Sequence, residues 1–233
     1  MIADLHAREL SAHRWGAKAS RLSQAARHGI AVPPGLCLDT AQASAPPTHQ
    51  HEVITAWLTA RRPATIIVRS SSTDEDTQDT SAAGRYLTLR DIAPEPGAVL
   101  AAAHQVHQVH QALAPPGQPP AGSVIVQQQL PAELMGVTFT HDDGFLTEGS
   151  PLAAAVTDGE PPTFRMNCRN DGYTLHGTLQ TVPPALLAHD LQRLIARLHE
   201  VFDFPLDIEW ATVAGHPFLL QVRPVTAPTE EPA

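Results

Sequence analysis

A carboxylate, an amide and a guanidinium stand close together near the end of this chain, and their spacing is that of a β-hairpin. The stretch from Leu206 to Arg223 reads LDIEWATVAGHPFLLQVR. Two runs in it alternate with period two, which is strand behaviour. In the first, Ile208, Trp210 and Thr212 share one face, and Asp207, Glu209 and Ala211 the other. In the second, Phe218, Leu220 and Val222 share one face, and Leu219, Gln221 and Arg223 the other. Residues directly opposite in an antiparallel pair point the same way, with Cβ atoms about 5 Å apart. An odd loop centred on Gly215 sets Ile208 against Val222, Trp210 against Leu220, Glu209 beside Gln221 and Asp207 beside Arg223. A one-residue slip would set Trp210 against Gln221, so the hydrophobic pattern selects the first register. The two oxygen donors, Glu209 and Gln221, suit Mg²⁺, which takes few protein oxygens and fills its shell with phosphate oxygens and water. Arg223, two residues from a ligand, can meet those phosphates. The alternative is a surface hairpin with one solvated salt bridge.

Three other places carry chemistry-bearing residues. Gly16-Ala17-Lys18 opens a helical pattern, and a basic residue there opposes the helix dipole unless it points at an anion. A solvated lysine is the other reading of Lys18. The apolar run ATIIV ends in Arg69, followed by the hydroxyl-rich SSSTDED. That is the form of a ligand-binding strand edge, or of a strand end with an N-cap for the next turn. Asp79 to Gly84 (DTSAAG) is a small-residue loop whose backbone N–H groups can approach phosphate oxygens. His104, His107 and His110 recur at spacing three within a helical pattern. Spacing three applied twice drifts around a helix, so these histidines read as a solvated face and not a metal site.

Composition narrows the partners. The 233 residues are 42% hydrophobic and 17% charged, ordinary for a globular protein long enough for one large domain or two lobes. A net charge of -9 with no run of Lys or Arg argues against a nucleic-acid or anionic-membrane partner. Cys37 and Cys168 stand alone, which fits a reducing compartment better than a disulfide framework. No apolar run has membrane-spanning length and the N-terminus MIADLHAREL is not a signal peptide, so a cytoplasmic location is expected.

The elements that must position these groups follow in order. Helices are expected over Ala17–His28, Glu52–Thr59, Ala98–Leu113 and Pro184–Phe202. Strands are expected near Leu36–Leu38, Ala64–Val68, Tyr86–Leu89, Ser123–Gln127, Gly136–Thr140, Thr163–Met166 and Tyr173–Leu179, before the hairpin. In the Ala98–Leu113 helix, Val99, Ala103, Val106, Val109 and Leu113 form the apolar side. The stretch APPGQPPAG from Ala114 to Gly122 is the best lobe boundary, giving lobes 1–115 and 116–233.

Four segments in this order resemble one family: the N-terminal nucleotide-binding domain of pyruvate phosphate dikinase and phosphoenolpyruvate synthase, found also in rifamycin-type antibiotic phosphotransferases and starch water dikinases. They are WGAKASRLSQAARHGIAVPPGL, IIVRSSSTDEDTQDTSAAGRYLTL, VIVQQQLPAELMGVTFT and FDFPLDIEWATVAGHPFLLQVRPVT, together spanning about Trp15 to Thr226. The resemblance implies an α+β ATP-grasp fold, two lobes with ATP bound between them. It implies that Lys18 and Arg69 contact phosphate and that Asp79, Thr80, Ser81 and Gly84 belong to the loop over the phosphates. Gln127, Gln129 and Leu130 match the adenine-side linker, Glu209 and Gln221 the Mg²⁺ and ATP ligands, and Arg223 the catalytic arginine, with Arg69 and Lys18 assisting.

The sequence also departs from the family. The usual glycine pair is Gly16-Ala17. The Gly-Leu-Gly-Glu stretch is not recognisable near 149–155, and the arginine expected in the helix before the linker is missing. No counterpart of the swivelling domain with its phosphorylated histidine is seen. The expected activity is ATP- and Mg²⁺-dependent transfer of a phosphoryl or pyrophosphoryl group to a small molecule, or to a histidine on a separately encoded swivelling protein. The alternatives are an ATP-grasp ligase that activates a carboxylate as its acyl phosphate, and a non-catalytic nucleotide-binding subunit.

Overall fold

A computed structural model describes residues 1–39, 47–73, 87–114, 121–151 and 161–225. The loop residues Asp79, Thr80, Ser81 and Gly84 lie outside these. The chain divides into two compact units, Met1–Arg27 with Pro33–Gln129, and His28–Val32 with Leu130–Ala233. The division falls after Gln129 and not at the expected 115/116. The reason is that the strand following the proline-rich stretch sits at the centre of the first sheet.

That first sheet has the order β1-β2-β5-β3-β4. Its strands are β1 (Ile2–Asp4), β2 (Gly35–Asp39), β3 (Ile66–Ser72), β4 (Thr88–Ile92) and β5 (Gly122–Gln128), and all the pairings are antiparallel. The helices of this unit are α1 (Ala12–Trp15), α2 (Ala17–Arg27), α3 (Pro47–Arg61) and α4 (Pro96–Leu113). Alternation along the strands gives the sheet two different faces. Leu36, Leu38, Ile66, Val68, Val124 and Val126 point to one face and form a buried cluster with Ile54, Trp57 and Leu58 of α3 and Val99, Ala103 and Val106 of α4. The opposite face carries Cys37, Ser123, Ile125, Gln127, Arg69 and Ser71, with α1 and α2 tied to it.

Two expectations are corrected here. Ser70, Ser71 and Ser72 do not form a turn after Arg69; β3 runs through them, paired with β5, and all three are buried. Their small hydroxyls suit a strand whose partners need side-chain acceptors. Of the α4 histidines only His104 is exposed, so the expected solvated face is not found. His107 and His110 are 6% and 4% exposed, while Val109 and Leu113 are only partly buried, so the buried stripe is rotated from the one the aliphatic residues suggest.

The second sheet has the order β11-β10-β6-β7-β8-β9. Its strands are β6 (Leu134–His141), β7 (Gly144–Ser150), β8 (Phe164–Arg169), β9 (Gly172–Gly177), β10 (Leu206–Val213) and β11 (His216–Pro224). One face is covered by α5 (Pro184–His199), whose Leu187, Leu191, Leu194 and Leu198 are buried. Trp210 is fully buried on that side. Its Nε1 donates to Thr138 Oγ1 at 2.8 Å, and Thr138 donates to Thr147 Oγ1 at 2.7 Å. The segment His28–Val32 joins this unit because Leu219 N donates to Ala31 O at 2.8 Å. Among the described residues no helix is long and apolar enough to cross a membrane.

Burial, and after it the neighbouring His104, lowers the pKa of His107 below the usual imidazole value. His107 lines a cavity of about 50 Å³ with His104, Asp39 and Gln50, and its Nδ1 has no hydrogen-bond partner among the described residues. The folded chain therefore resists protonation there while the unfolded chain accepts it near pH ~6.5. The stability contributed by neutral His107 should be complete above that pH and decline below it. Melting temperatures from pH 8 to pH 5 should fall less steeply for His107→Leu than for the parent chain; parallel slopes would assign the acid sensitivity elsewhere.

Candidate functional site

In the second unit the hairpin turn is two residues long. Val213 pairs with His216 across Ala214 and Gly215, whose φ values are 50° and 76°. Positive φ at both positions matches a type I′ turn, the tight connection that suits twisted strands. The expected odd loop is thus absent, and a β-bulge supplies the odd residue instead. Pairing runs Val213–His216, Thr212–Pro217, Ala211–Phe218 and Trp210–Leu219. It then skips Leu220 and resumes at Glu209–Gln221, Ile208–Val222 and Asp207–Arg223. Trp210 therefore faces Leu219 and not Leu220, and Phe218 lies on the polar face with Ala211. The pairs Glu209–Gln221 and Asp207–Arg223 keep the expected register.

Asp207, Glu209, Gln221 and Arg223 share one face. Arg223 Nε donates to Asp207 Oδ2 at 2.7 Å, and the Asp207 side chain is only 7% exposed against 40% for Arg223. A buried carboxylate thus aims a half-exposed guanidinium. Gln221 is 9% exposed and Glu209 half-buried. Register also extends the row across the sheet: Glu209 is opposite Val137, Val137 opposite Glu148, and Glu148 opposite Arg165. Arg165 pairs with the Glu148 carboxylate. Glu148 lies about 10 Å from Glu209, two strand spacings away. The sequence reading missed this pair. The signal was the alternation of GFLTEGS and FRMNCR, with Glu148 and Arg165 at the polar positions.

In the first unit, Arg69 is 7% exposed and its Nη2 donates to Gln127 Oε1 at 2.6 Å. Gln127 Nε2 donates to Pro33 O at 2.6 Å. Gln127 is 1% exposed, and its side-chain amide is engaged with Arg69 and Pro33. Gln129 is likewise engaged: its amide accepts from Asp91 N at 2.7 Å and donates to Asp91 Oδ1 at 2.6 Å. Leu130, half-buried, is where the chain passes into the second unit.

Lys18 lies in the first turn of α2 and is half-buried. What fixes that turn is Gly16, whose φ is 82° and whose imaginary Cβ would stand 2.1 Å from Ser71 O. Ala19 N donates to Ser71 Oγ at 2.9 Å, and Ser123 Oγ donates to Trp15 O at 2.6 Å. The start of α2 is thereby clamped to β3 two residues beyond Arg69. Arg69 thus lies on the sheet face to which the α2 start, carrying Lys18, is tied, and a helix N-terminus favours anions.

Arg69 also stands near Cys37, but burial dominates there and pushes the Cys37 thiol up to about 12. Burial raises Cys168 to about 11. Both shifts disfavour the thiolate, the nucleophilic form, at neutral pH.

The donor set fits Mg²⁺ and phosphate. Among the described residues no group of three His, Cys, Asp or Glu side chains gathers to hold a metal. Glu209 and Gln221 offer one carboxylate and one amide oxygen, the sparse set that Mg²⁺ accepts when phosphate oxygens complete its shell.

No protein-family model and no curated protein sequence matches this chain. Solved structures do. The D-alanine–D-alanine ligase from Coxiella burnetii superposes with a TM-score of 0.51 at 9% identity, over 88% of this chain and 46% of that one. The D-alanine–D-alanine ligase from Bacillus anthracis complexed with ATP gives 0.49 at 8% identity, over 88% and 54%. D-cycloserine synthetase DcsG gives 0.49 at 14% identity, over 91% and 64%. The chain has the α+β ATP-grasp fold, and it spans about half the length of the ligases it matches.

Two outcomes follow from this geometry. Gly16→Ala should lower stability by about 1–3 kcal/mol, through strain at positive φ and the clash with Ser71, read as a shifted denaturant midpoint. A neutral result would mean that the α2 start is not clamped. Cys37 and Cys168 should resist a thiol reagent at pH 8 in the native chain and react on unfolding; rapid native labelling would contradict their burial.

Proposed function

We propose that this chain handles the nucleotide in an ATP- and Mg²⁺-dependent enzyme that transfers a phosphoryl group to an acceptor oxygen, with a carboxylate as the first candidate acceptor. One observation carries the reading: Asp207 aims Arg223 beside the directly paired Glu209 and Gln221. When bound, Mg-ATP supplies the phosphoryl group. Glu209 and Gln221 would hold the metal against phosphate oxygens, and Arg223 would neutralise charge that develops on the transferred group. Arg69, held by Gln127, and Lys18, held by the Gly16 clamp, would bind phosphate in the ground state. The ATP-grasp fold shared with ligases supports a carboxylate acceptor, activated as its acyl phosphate.

A second reading rests on the VRSS and DIEW…LQVRP blocks, which resemble the dikinase nucleotide-binding domain. There the acceptor is a small molecule or a histidine on a partner protein, and AMP is a product. Nucleotide analysis separates the two: ADP with a hydroxylamine-trappable acyl phosphate supports the ligase type, and AMP the dikinase type. No turnover with any acceptor class would leave a non-catalytic nucleotide-binding role.

Saturating Mg-ATP should raise the melting temperature, since a ligand at 100 times its dissociation constant adds about 2.7 kcal/mol. ATP without Mg²⁺ should do much less, and unchanged melting with Mg-ATP would count decisively against the proposal. Arg223→Ala should cut turnover by about 10²–10³ while Mg-ATP binding survives. If Arg223 serves only as the salt-bridge partner of Asp207, the same variant loses at most about 1 kcal/mol of stability and keeps its rate.

A further inference from the structure

We infer that the second unit carries another site, for a multiply charged oxyanion, on the α5 side of its sheet. A cavity of about 260 Å³ opens there between α5, the turn at Gly29 and the start of β11. Arg193, Arg197 and His216 supply its donors, and Asp190 is the single carboxylate in its lining. Arg193 and Arg197 are one helical turn apart, a spacing at which like charges repel and destabilise a helix. An anion between them would reverse the sign of that interaction.

The site is partly built. Arg197 Nη2 donates to His28 O at 2.6 Å, which fixes the guanidinium at the mouth of the cavity. Gly29 lets it lie close over the turn, since a Cβ there would stand 3.3 Å from Nη2. Asp190 has a neighbour in His189, whose Nδ1 is 3.3 Å from its carboxylate. Two guanidinium groups therefore outnumber one carboxylate, in a chain whose net charge is -9. Planar guanidinium groups recognise phosphate and carboxylate alike, by paired N–H donors. The volume suits a small polyanion and not a nucleotide. The position is distinct from the proposed nucleotide face, because α5 packs on the side of the sheet opposite Glu209 and Gln221.

The test is calorimetric titration of the full chain, free of Mg²⁺, with inorganic pyrophosphate and separately with citrate. One equivalent of at least one probe should bind, and binding should persist in Arg223→Ala. Arg193→Gln, an exposed change, should weaken it by about tenfold or more, and Arg193→Lys should recover part of the loss. Tighter binding of pyrophosphate would assign the site to phosphate esters, and tighter binding of citrate to polycarboxylates. No binding of either probe, equal binding by Arg193→Gln, or loss of binding in Arg223→Ala would overturn the inference. None of these readings depends on turnover, so the site stands or falls apart from the proposed reaction.

Discussion

Between Leu219 and Gln221, β11 holds one residue more than β10, and that residue is Leu220. A two-residue turn without the bulge would set Glu209 opposite Leu220 and Asp207 opposite Val222. Gln221 and Arg223 would then fall opposite Ile208 and Leu206, on the side that α5 covers. The bulge removes this conflict. It lets a tight turn coexist with a face that holds Asp207, Glu209, Gln221 and Arg223 together, at the cost of one interrupted ladder position. The buried Trp210 and its hydrogen bonds to the Thr138–Thr147 pair anchor the other face. The strand cannot slip without exposing that indole.

The first sheet solves a related problem by a different route. One face is closed by aliphatic packing against α3 and α4. The other must hold a buried arginine, which is costly unless the guanidinium is hydrogen-bonded. Gln127 bridges Arg69 to the carbonyl of Pro33, so a neutral amide helps to orient the arginine. The α2 start reaches the same face through a contact that no side chain at position 16 could tolerate.

The pairs Glu209–Gln221 and Asp207–Arg223 were legible in the sequence, because an amphipathic hairpin has few registers that keep tryptophan dry. The α+β class and most strands were legible as well. The bulge was not, since a loop of odd length and an even turn plus one bulged residue give the same outer register. The roles of Gln127 and Gln129 were hidden because their partners, Arg69 and Asp91, are distant in the chain. The buried histidines of α4 were misread because periodicity weighed aliphatic residues over imidazoles, which can also be buried when neutral. Strand β7 went unseen because its sequence GFLTEGS is rich in small and polar residues that read as a loop.

The five residues His28–Val32 belong to the second unit although residues of the first flank them on both sides. Leu219 N finds its acceptor in Ala31, almost at the opposite end of the chain. During synthesis, then, the first sheet must wait for its central strand β5. The short segment behind α2 must stay unpaired longer still, until the final hairpin has left the ribosome. Folding cannot finish unit by unit in the order of translation. A fragment starting at Leu130 would expose a backbone donor on β11 that the whole chain covers. The second unit draws on two stretches of sequence, and a continuous cut cannot free it intact.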